Sequence, residues 1–339
     1  MRTLVVEKDG SLAIREIPKP AYGPKEALVK TLACGMCGTD VKLIHKSFKG
    51  VPESDYPLML GHEGVGEVVE VGADVKGLQI GDRVLLPFVG PMAGLGSAWG
   101  AFSEYAVVQD VKAYPEGEAP GFGYAQTVLP KDIDPVDAVM FVTFREVLSA
   151  IQYFRVKPAD SIVVFGCGPV GVTFIKLLSL LGCKDIIAVD IDNGRLKEAL
   201  SYGAKKTINN EKEDVTAIVR AEYPNGVNHV LDAVGLPSIT NQAMGIIQDR
   251  GNVLCYGVLP KEQITIDFSK ASYNWNFICQ QMPEKTEEAA AHAQVLTWVR
   301  EGKLVMKDFI SDYFPFDDSV EAYEKLLDRK IPKKGIITY

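Results

Sequence analysis

The stretch SIVVFGCGPVGVTFIKLL, residues 161–178, sets a β-rich apolar run against a helical one and places three glycines between them. Gly166, Gly168 and Gly171 have the spacing G-x-G-x-x-G. The first allows a tight turn, the second lets a pyrophosphate approach the backbone, and the third lets helix and strand pack closely. The first turn of the helix leaves N–H groups unpaired, and its dipole favours an anion there. A glycine pattern alone is a weak signal. The strand before it and the helix after it make this one a dinucleotide loop, with Pro169 and Val170 completing the cofactor contact. Asp190 ends the next β-rich run, DIIAVD, where a carboxylate accepts hydrogen bonds from ribose hydroxyls and repels a 2′-phosphate. That favours NAD over NADP. Capping the following helix is the other reading of Asp190, and Asp192 serves equally well as that cap.

Outward from this loop the same texture continues. KTIN, HVLDAV and NVLCYGV are short β-rich runs, and GRLKEALSYG between them has helical periodicity. Strand and helix in alternation imply a doubly wound parallel sheet. Before residue 147 the texture differs: TLVVEKDGSLAIREI, EALVKTLACG, GVGEVVEVG, DRVLLPF and FSEYAVV are short strands broken by glycine and proline, which suggests a β-barrel-like body. From 281 onward two helical stretches and two strand-like ones, FISDYF and KGIITY, follow. The expected division is 1–146 with 281–339 as a catalytic domain, and 147–280 as the nucleotide domain.

With 339 residues, 47% of them hydrophobic, two cores can be built. Lys and Arg number 36 against 44 Asp and Glu, a net charge of -8, and no basic run argues for nucleic acid or an anionic membrane as a partner. No apolar run reaches the roughly 20 residues of a spanning helix, and the N-terminus lacks the apolar core of a signal peptide. A soluble cytoplasmic protein is expected. Its six scattered cysteines do not form a disulfide framework, so reduced thiols are expected. Cys167, Cys183, Cys255 and Cys279 lie in or beside apolar runs and read as small core hydrophobes.

ACGMCGTD, residues 33–40, and YPLMLGHEGVGEVVEVGADV, residues 56–75, carry the chemistry. Cys37 offers a thiolate and His62 an imidazole, good ligands for a borderline-soft ion that leave a position open for substrate. Cys34 and Cys37 read alternatively as a redox couple or as half of a zinc knuckle. Together with the glycine loop near 166, C-x-x-C-G-T-D and G-H-E-x-x-G-x5-G resemble the zinc-dependent alcohol dehydrogenases of the medium-chain dehydrogenase/reductase superfamily, in its sorbitol and threonine dehydrogenase branch. The resemblance covers nearly the whole chain in the right order. It implies an α/β fold, with a GroES-like β-barrel catalytic domain and a Rossmann cofactor domain.

By the same resemblance Cys37 is the ligand and Cys34 a bystander. The redox reading lacks a thioredoxin-like context, and the knuckle lacks a second C-x-x-C. Thr39 matches the hydroxyl that passes the alcohol proton onward. Asp40 matches the carboxylate that orients His62, and Lys42 stands where a relay histidine is common. Glu63 matches a glutamate close to the metal, and Lys334 an arginine that contacts pyrophosphate. Arg195 matches a basic residue on the adenosine side. Two departures stand out. PFVGPMAGLGSAWGAFSEY replaces the four-cysteine lobe of many relatives, which implies one catalytic zinc per chain and no structural zinc. Val142 falls where a third ligand is usual and cannot bind zinc. Glu63 is the expected replacement, with Glu146, assigned a place beside the nicotinamide, as the next candidate.

The implied activity is NAD-dependent oxidation of a secondary alcohol, a polyol, sugar or related polar molecule, to a ketone by a homodimer or homotetramer. A zinc-free reductase of the same fold and a non-catalytic nucleotide sensor are the rivals.

Overall fold

The computed structural model describes residues 1–259 and 263–339. The chain divides into two compact units, one of residues 1–145 with 284–339 and the other of residues 146–283.

The first unit begins with strands β1 (Arg2–Val6), β2 (Leu12–Glu16) and β3 (Glu26–Gly35), then helix α1 (Gly38–Ile44). Strands β4 (Leu58–Met59), β5 (Gly64–Val71), β6 (Arg83–Leu85), β7 (Gly96–Ser97), β8 (Tyr105–Gln109) and β9 (Val128–Leu129) follow. A small sheet has the order β2-β1-β4-β7. In the larger one β3 pairs antiparallel with β5, Cys34 opposite Gly64. That register brings the residues just past β3, Cys37 among them, to the same end of the pair as His62 and Glu63, which just precede β5. The division between the units falls inside helix α2 (Met140–Phe154), whose first turn buries Val142 completely.

In the second unit strands and helices alternate: β10 (Ser161–Phe165), α3 (Pro169–Leu180), β11 (Asp185–Asp190), α4 (Asn193–Tyr202), β12 (Lys206–Asn209), α5 (Val215–Glu222), β13 (Val227–Asp232), α6 (Pro237–Ile246), β14 (Ile247–Cys255) and β15 (Trp275–Cys279). They form a parallel sheet in the order β12-β11-β10-β13-β14-β15. With helices on both faces β10 is buried at every residue, which is why its sequence reads as an unbroken apolar run. The order reverses between β10 and β13, and open α/β sheets bind ligands at such a switch point, outside the carboxyl ends of the strands. Asp192 caps α4 by accepting from the Arg195 amide, and Asp214 caps α5 through the Ala217 amide.

The chain then returns to the first unit with α7 (Lys285–Arg300), β16 (Ile310–Pro315), α8 (Ser319–Leu327) and β17 (Lys334–Thr338). Strand β17 pairs parallel with β16 and antiparallel with β3, setting Ile336 opposite Gly35. Lys334 is thereby carried to the end of β3 where Cys37 lies. Among the cysteines expected in the core, Cys167, Cys183 and Cys255 are buried. Cys279 is exposed, because β15 ends the sheet order and is less covered than the strands within it.

Candidate active site

Helix α1 starts on Cys37, whose backbone N–H donates to Asp40 Oδ2 at 3.0 Å. Asp40 is fully buried and also accepts from the Tyr323 hydroxyl on α8 at 2.7 Å. Its other oxygen lies 3.4 Å from His62 Nδ1. The two bonds to Oδ2 fix the carboxylate, which in turn faces one imidazole nitrogen and leaves the other for a metal. Burial works to lower the His62 pKa. Asp40 and Cys37 outweigh it, and the imidazole is raised well above its ordinary range. Burial, then the charge of Asp40, likewise holds the Tyr323 hydroxyl well above its own.

One ligand atom each from Cys37, His62 and Glu63 lie within 4.8 Å of one another. Thiolate, imidazole and carboxylate at that spacing suit zinc, and an open fourth position is what a catalytic site keeps. The carboxylate of Glu63 rests against Gly35, where a Cβ would come within 2.2 Å of its Oε2. Lys334 Nζ donates to both its oxygens, at 2.7 and 2.6 Å, and both side chains are 2% exposed. Thr143 Oγ1 approaches Oε1 at 3.4 Å. Pyrophosphate contact is the role expected of Lys334. Its ammonium instead has a buried partner in the catalytic unit, one that a sequence separation of 271 hides from any local reading.

Thr39 follows Cys37 by two positions and is partly exposed, whereas Lys42 is half-buried on the same helix, its carbonyl accepting from Ser47. Glu146 belongs to the second unit, where its carbonyl accepts from Ser149 Oγ at 2.8 Å. Trp99 carries no sequence signal, yet its ring centroid lies 5.2 Å from that of His62 and 6.2 Å from that of Phe48. Its φ of 68° is one that a bulky side chain rarely adopts. Trp99, Phe48, Phe88 and Phe122 line a cavity of about 610 Å³ in the catalytic unit, with Lys49 and Gln126 among its polar groups.

In the nucleotide unit Gly166 turns with φ +92°, and a Cβ on Gly171 would come within 1.7 Å of the Gly166 carbonyl oxygen. A Cβ on Gly168, the N-cap of α3, would meet nothing within 4 Å, so the loop is open where a pyrophosphate would approach. Pro169 and Val170 begin the helix. Asp190 accepts from the Cys167 amide at 2.6 Å and from the Asp192 amide at 2.9 Å, tying the glycine loop to the end of β11. Capping falls to Asp192, not Asp190. Arg195 is half-buried on the first turn of α4. The unit's residues thus fit a dinucleotide.

Residues 23–117 match the family model described as the alcohol dehydrogenase GroES-like domain, and residues 169–278 the one described as zinc-binding dehydrogenase. The chain is 26% identical to L-galactonate-5-dehydrogenase of Escherichia coli (strain K12), over 100% of its own length and 99% of the relative's. It is also 26% identical to L-threonine 3-dehydrogenase of Cutibacterium acnes, covering 96% and 95% of the two chains. Among solved structures it resembles the alcohol dehydrogenase TADH from Thermus sp. ATN1 at 26% identity and a TM-score of 0.81, over 100% and 99% of the chains. The chain belongs to the zinc-dependent alcohol dehydrogenase family of the medium-chain dehydrogenase/reductase superfamily. It is an oxidoreductase that acts on alcohol groups with zinc and a nicotinamide dinucleotide. Among the described residues, no helix is long and apolar enough to cross a membrane.

Proposed function

We propose that the protein oxidises a secondary alcohol to a ketone with NAD, reversibly, at the cluster of Cys37, His62 and Glu63. The observation that carries this reading is the convergence of those three ligand atoms within 4.8 Å, backed by the fixed carboxylate of Asp40. Zinc held there supplies a Lewis acid that lowers the pKa of the alcohol. Thr39 takes the alcohol proton toward solvent, past Lys42 in place of a relay histidine, and Asp40 keeps His62 oriented. Glu63 is the third protein ligand in place of Val142, and Glu146 stands by the nicotinamide. Arg195 and the loop from Gly166 to Gly171 hold the dinucleotide, whereas the Lys334 ammonium is taken up by Glu63. The same reading has the enzyme in the cytoplasm as a homodimer or homotetramer.

Elemental analysis of protein purified without chelator tests the metal reading, and about one zinc per chain is expected. Two would reveal a second site, and none would favour the zinc-free reductase. Cofactor choice rests on Asp190. A lower Michaelis constant for NAD than for NADP is expected, with the gap narrowing in Asp190→Gly. Equal use of both by the parent enzyme would refute this.

The relatives above are named for a hydroxy acid and an amino-acid alcohol, which supports a polar substrate. The aromatic lining of the cavity beside Trp99 favours a second reading, an alcohol with a flat apolar substituent. Initial rates of NADH formation with sorbitol, threonine, butane-2,3-diol and 1-phenylethanol separate the two.

A further inference from the structure

Cys255 and Cys279 are the last residues of two neighbouring strands, β14 and β15, and lie directly opposite one another in the parallel register. Neighbouring strands run about 4.8 Å apart, and a disulfide spans Cα atoms roughly 4.4–6.8 Å apart. In-register residues of parallel strands project to the same face, so the two thiols are side by side, and Cys279 lies within hydrogen-bonding reach of Cys255. Their environments differ. Cys279 is exposed, whereas Cys255 is 1% exposed, its thiol facing the Gly257 carbonyl and the Gln281 amide. Cys34, Cys167 and Cys183 are buried and Cys37 is partly exposed, so Cys279 is the most exposed of the six thiols.

The position matters because these are carboxyl ends of the sheet. Asp190 on β11 marks the adenosine side of the switch point, so the other half of a dinucleotide extends toward β13, β14 and β15. Just beyond Cys255, the Tyr256 and Gly257 amides both donate to the Asp232 carbonyl, and Gly257 packs so closely on Gly235 that a Cβ there would come within 2.1 Å of the Gly235 nitrogen. Cys255 thus leads directly into a packed turn with little room to adjust to a change at its sulfur.

We propose that Cys255 and Cys279 are a reversible thiol–disulfide pair, closed by a hydroperoxide, whose closure weakens dinucleotide binding. The Cys279 thiolate attacks a peroxide oxygen, forming an S–O bond and breaking O–O, and leaves a sulfenic acid and hydroxide (an alkoxide from an organic hydroperoxide), which takes a proton from solvent to give water or the alcohol. The Cys255 sulfur then attacks that sulfenyl sulfur, forming S–S and releasing water. Two thiols are oxidised by two electrons in all, and the peroxide is reduced by two. Burial first, then the charge of the neighbouring Cys279, pushes the Cys255 thiol up to about 12. Conversion of Cys279 to a neutral sulfenic acid removes only the second of these causes, so the attack on the sulfenyl sulfur rests on the two sulfurs lying side by side.

The weakening of binding rests on the dinucleotide reading above, but the disulfide does not. Full-length protein is treated with stoichiometric hydrogen peroxide, alkylated without reduction, digested and mapped by mass, and NADH binding is followed by fluorescence. A peptide linked through 255 and 279 is expected, together with NADH affinity at least about fivefold weaker, restored by dithiothreitol. Cys279→Ser should give no linked peptide and keep its NADH affinity after peroxide. Sulfinic acid on Cys279 with a free Cys255, or a link to another cysteine, would overturn the pair. A 255–279 link with unchanged NADH affinity would overturn its effect on binding. Reduced protein that fails to bind NADH would instead refute the cofactor reading and leave the mapped link standing.

Discussion

Lys334→Met is expected to destabilise the metal-free protein by about 3–5 kcal/mol, because it leaves the Glu63 carboxylate buried without its counter-charge. Lys334 and Glu63 are each 2% exposed and share two hydrogen bonds, so solvent cannot replace either partner. Glu63→Gln should also destabilise, by removing the negative charge that faces the Lys334 ammonium, and the double variant should cost less than the sum of the singles. Zinc separates the two single changes. In Lys334→Met the metal ion supplies the positive charge that Glu63 has lost, so added zinc should recover part of the stability. Glu63→Gln should lose its metal on dialysis, since two remaining ligands cannot complete the site. Urea unfolding with and without zinc, and elemental analysis after dialysis, check both. Full retention of zinc in Glu63→Gln would take Glu63 out of the ligand set. Loss in Glu146→Gln with retention in Glu63→Gln would give the role to Glu146.

Thr39→Val keeps the shape of the side chain and removes the hydroxyl. Turnover should fall on the order of a hundredfold, with NADH affinity and zinc content unchanged, because proton transfer by a positioned group contributes at least about that much. Single-turnover rates of hydride transfer check it with whichever alcohol the substrate panel identifies. An effect below about threefold would return Thr39 to a purely structural place in the first turn of α1.

What the sequence discloses of this site depends on how local each interaction is. The glycine loop is readable because its three glycines, the strand before and the helix after lie within eighteen consecutive residues, and the backbone demands act at that range. Cys37 and His62 are readable through short motifs around each, although only the register of β3 against β5 makes them meet. Asp190 and Asp192 stand two residues apart with the same side chain, and only the hydrogen bonds assign the cap to Asp192. The partners of Asp40 and Glu63 are a different matter. Tyr323 lies 283 residues from Asp40, and its helix would bury an aromatic on that face for packing alone. Lys334 sits in KKG, a setting that looks solvated until β17 is paired with β3. Trp99 is invisible for another reason: nothing in the identity of a tryptophan announces a positive φ.

The insertion of β17 between β16 and β3 has a consequence for the order of assembly. The nucleotide unit is a single continuous run of chain, residues 146–283, and can begin folding once that run has left the ribosome. The catalytic unit cannot close its larger sheet at that moment, since β3 waits for a strand about 300 residues downstream, and contacts of such separation form late and slowly. Until β17 arrives, Glu63 has no ammonium opposite it. A nascent chain with its nucleotide unit already folded therefore carries an incomplete metal site, and a zinc ion met at that stage would encounter a carboxylate for which Lys334 does not yet compete.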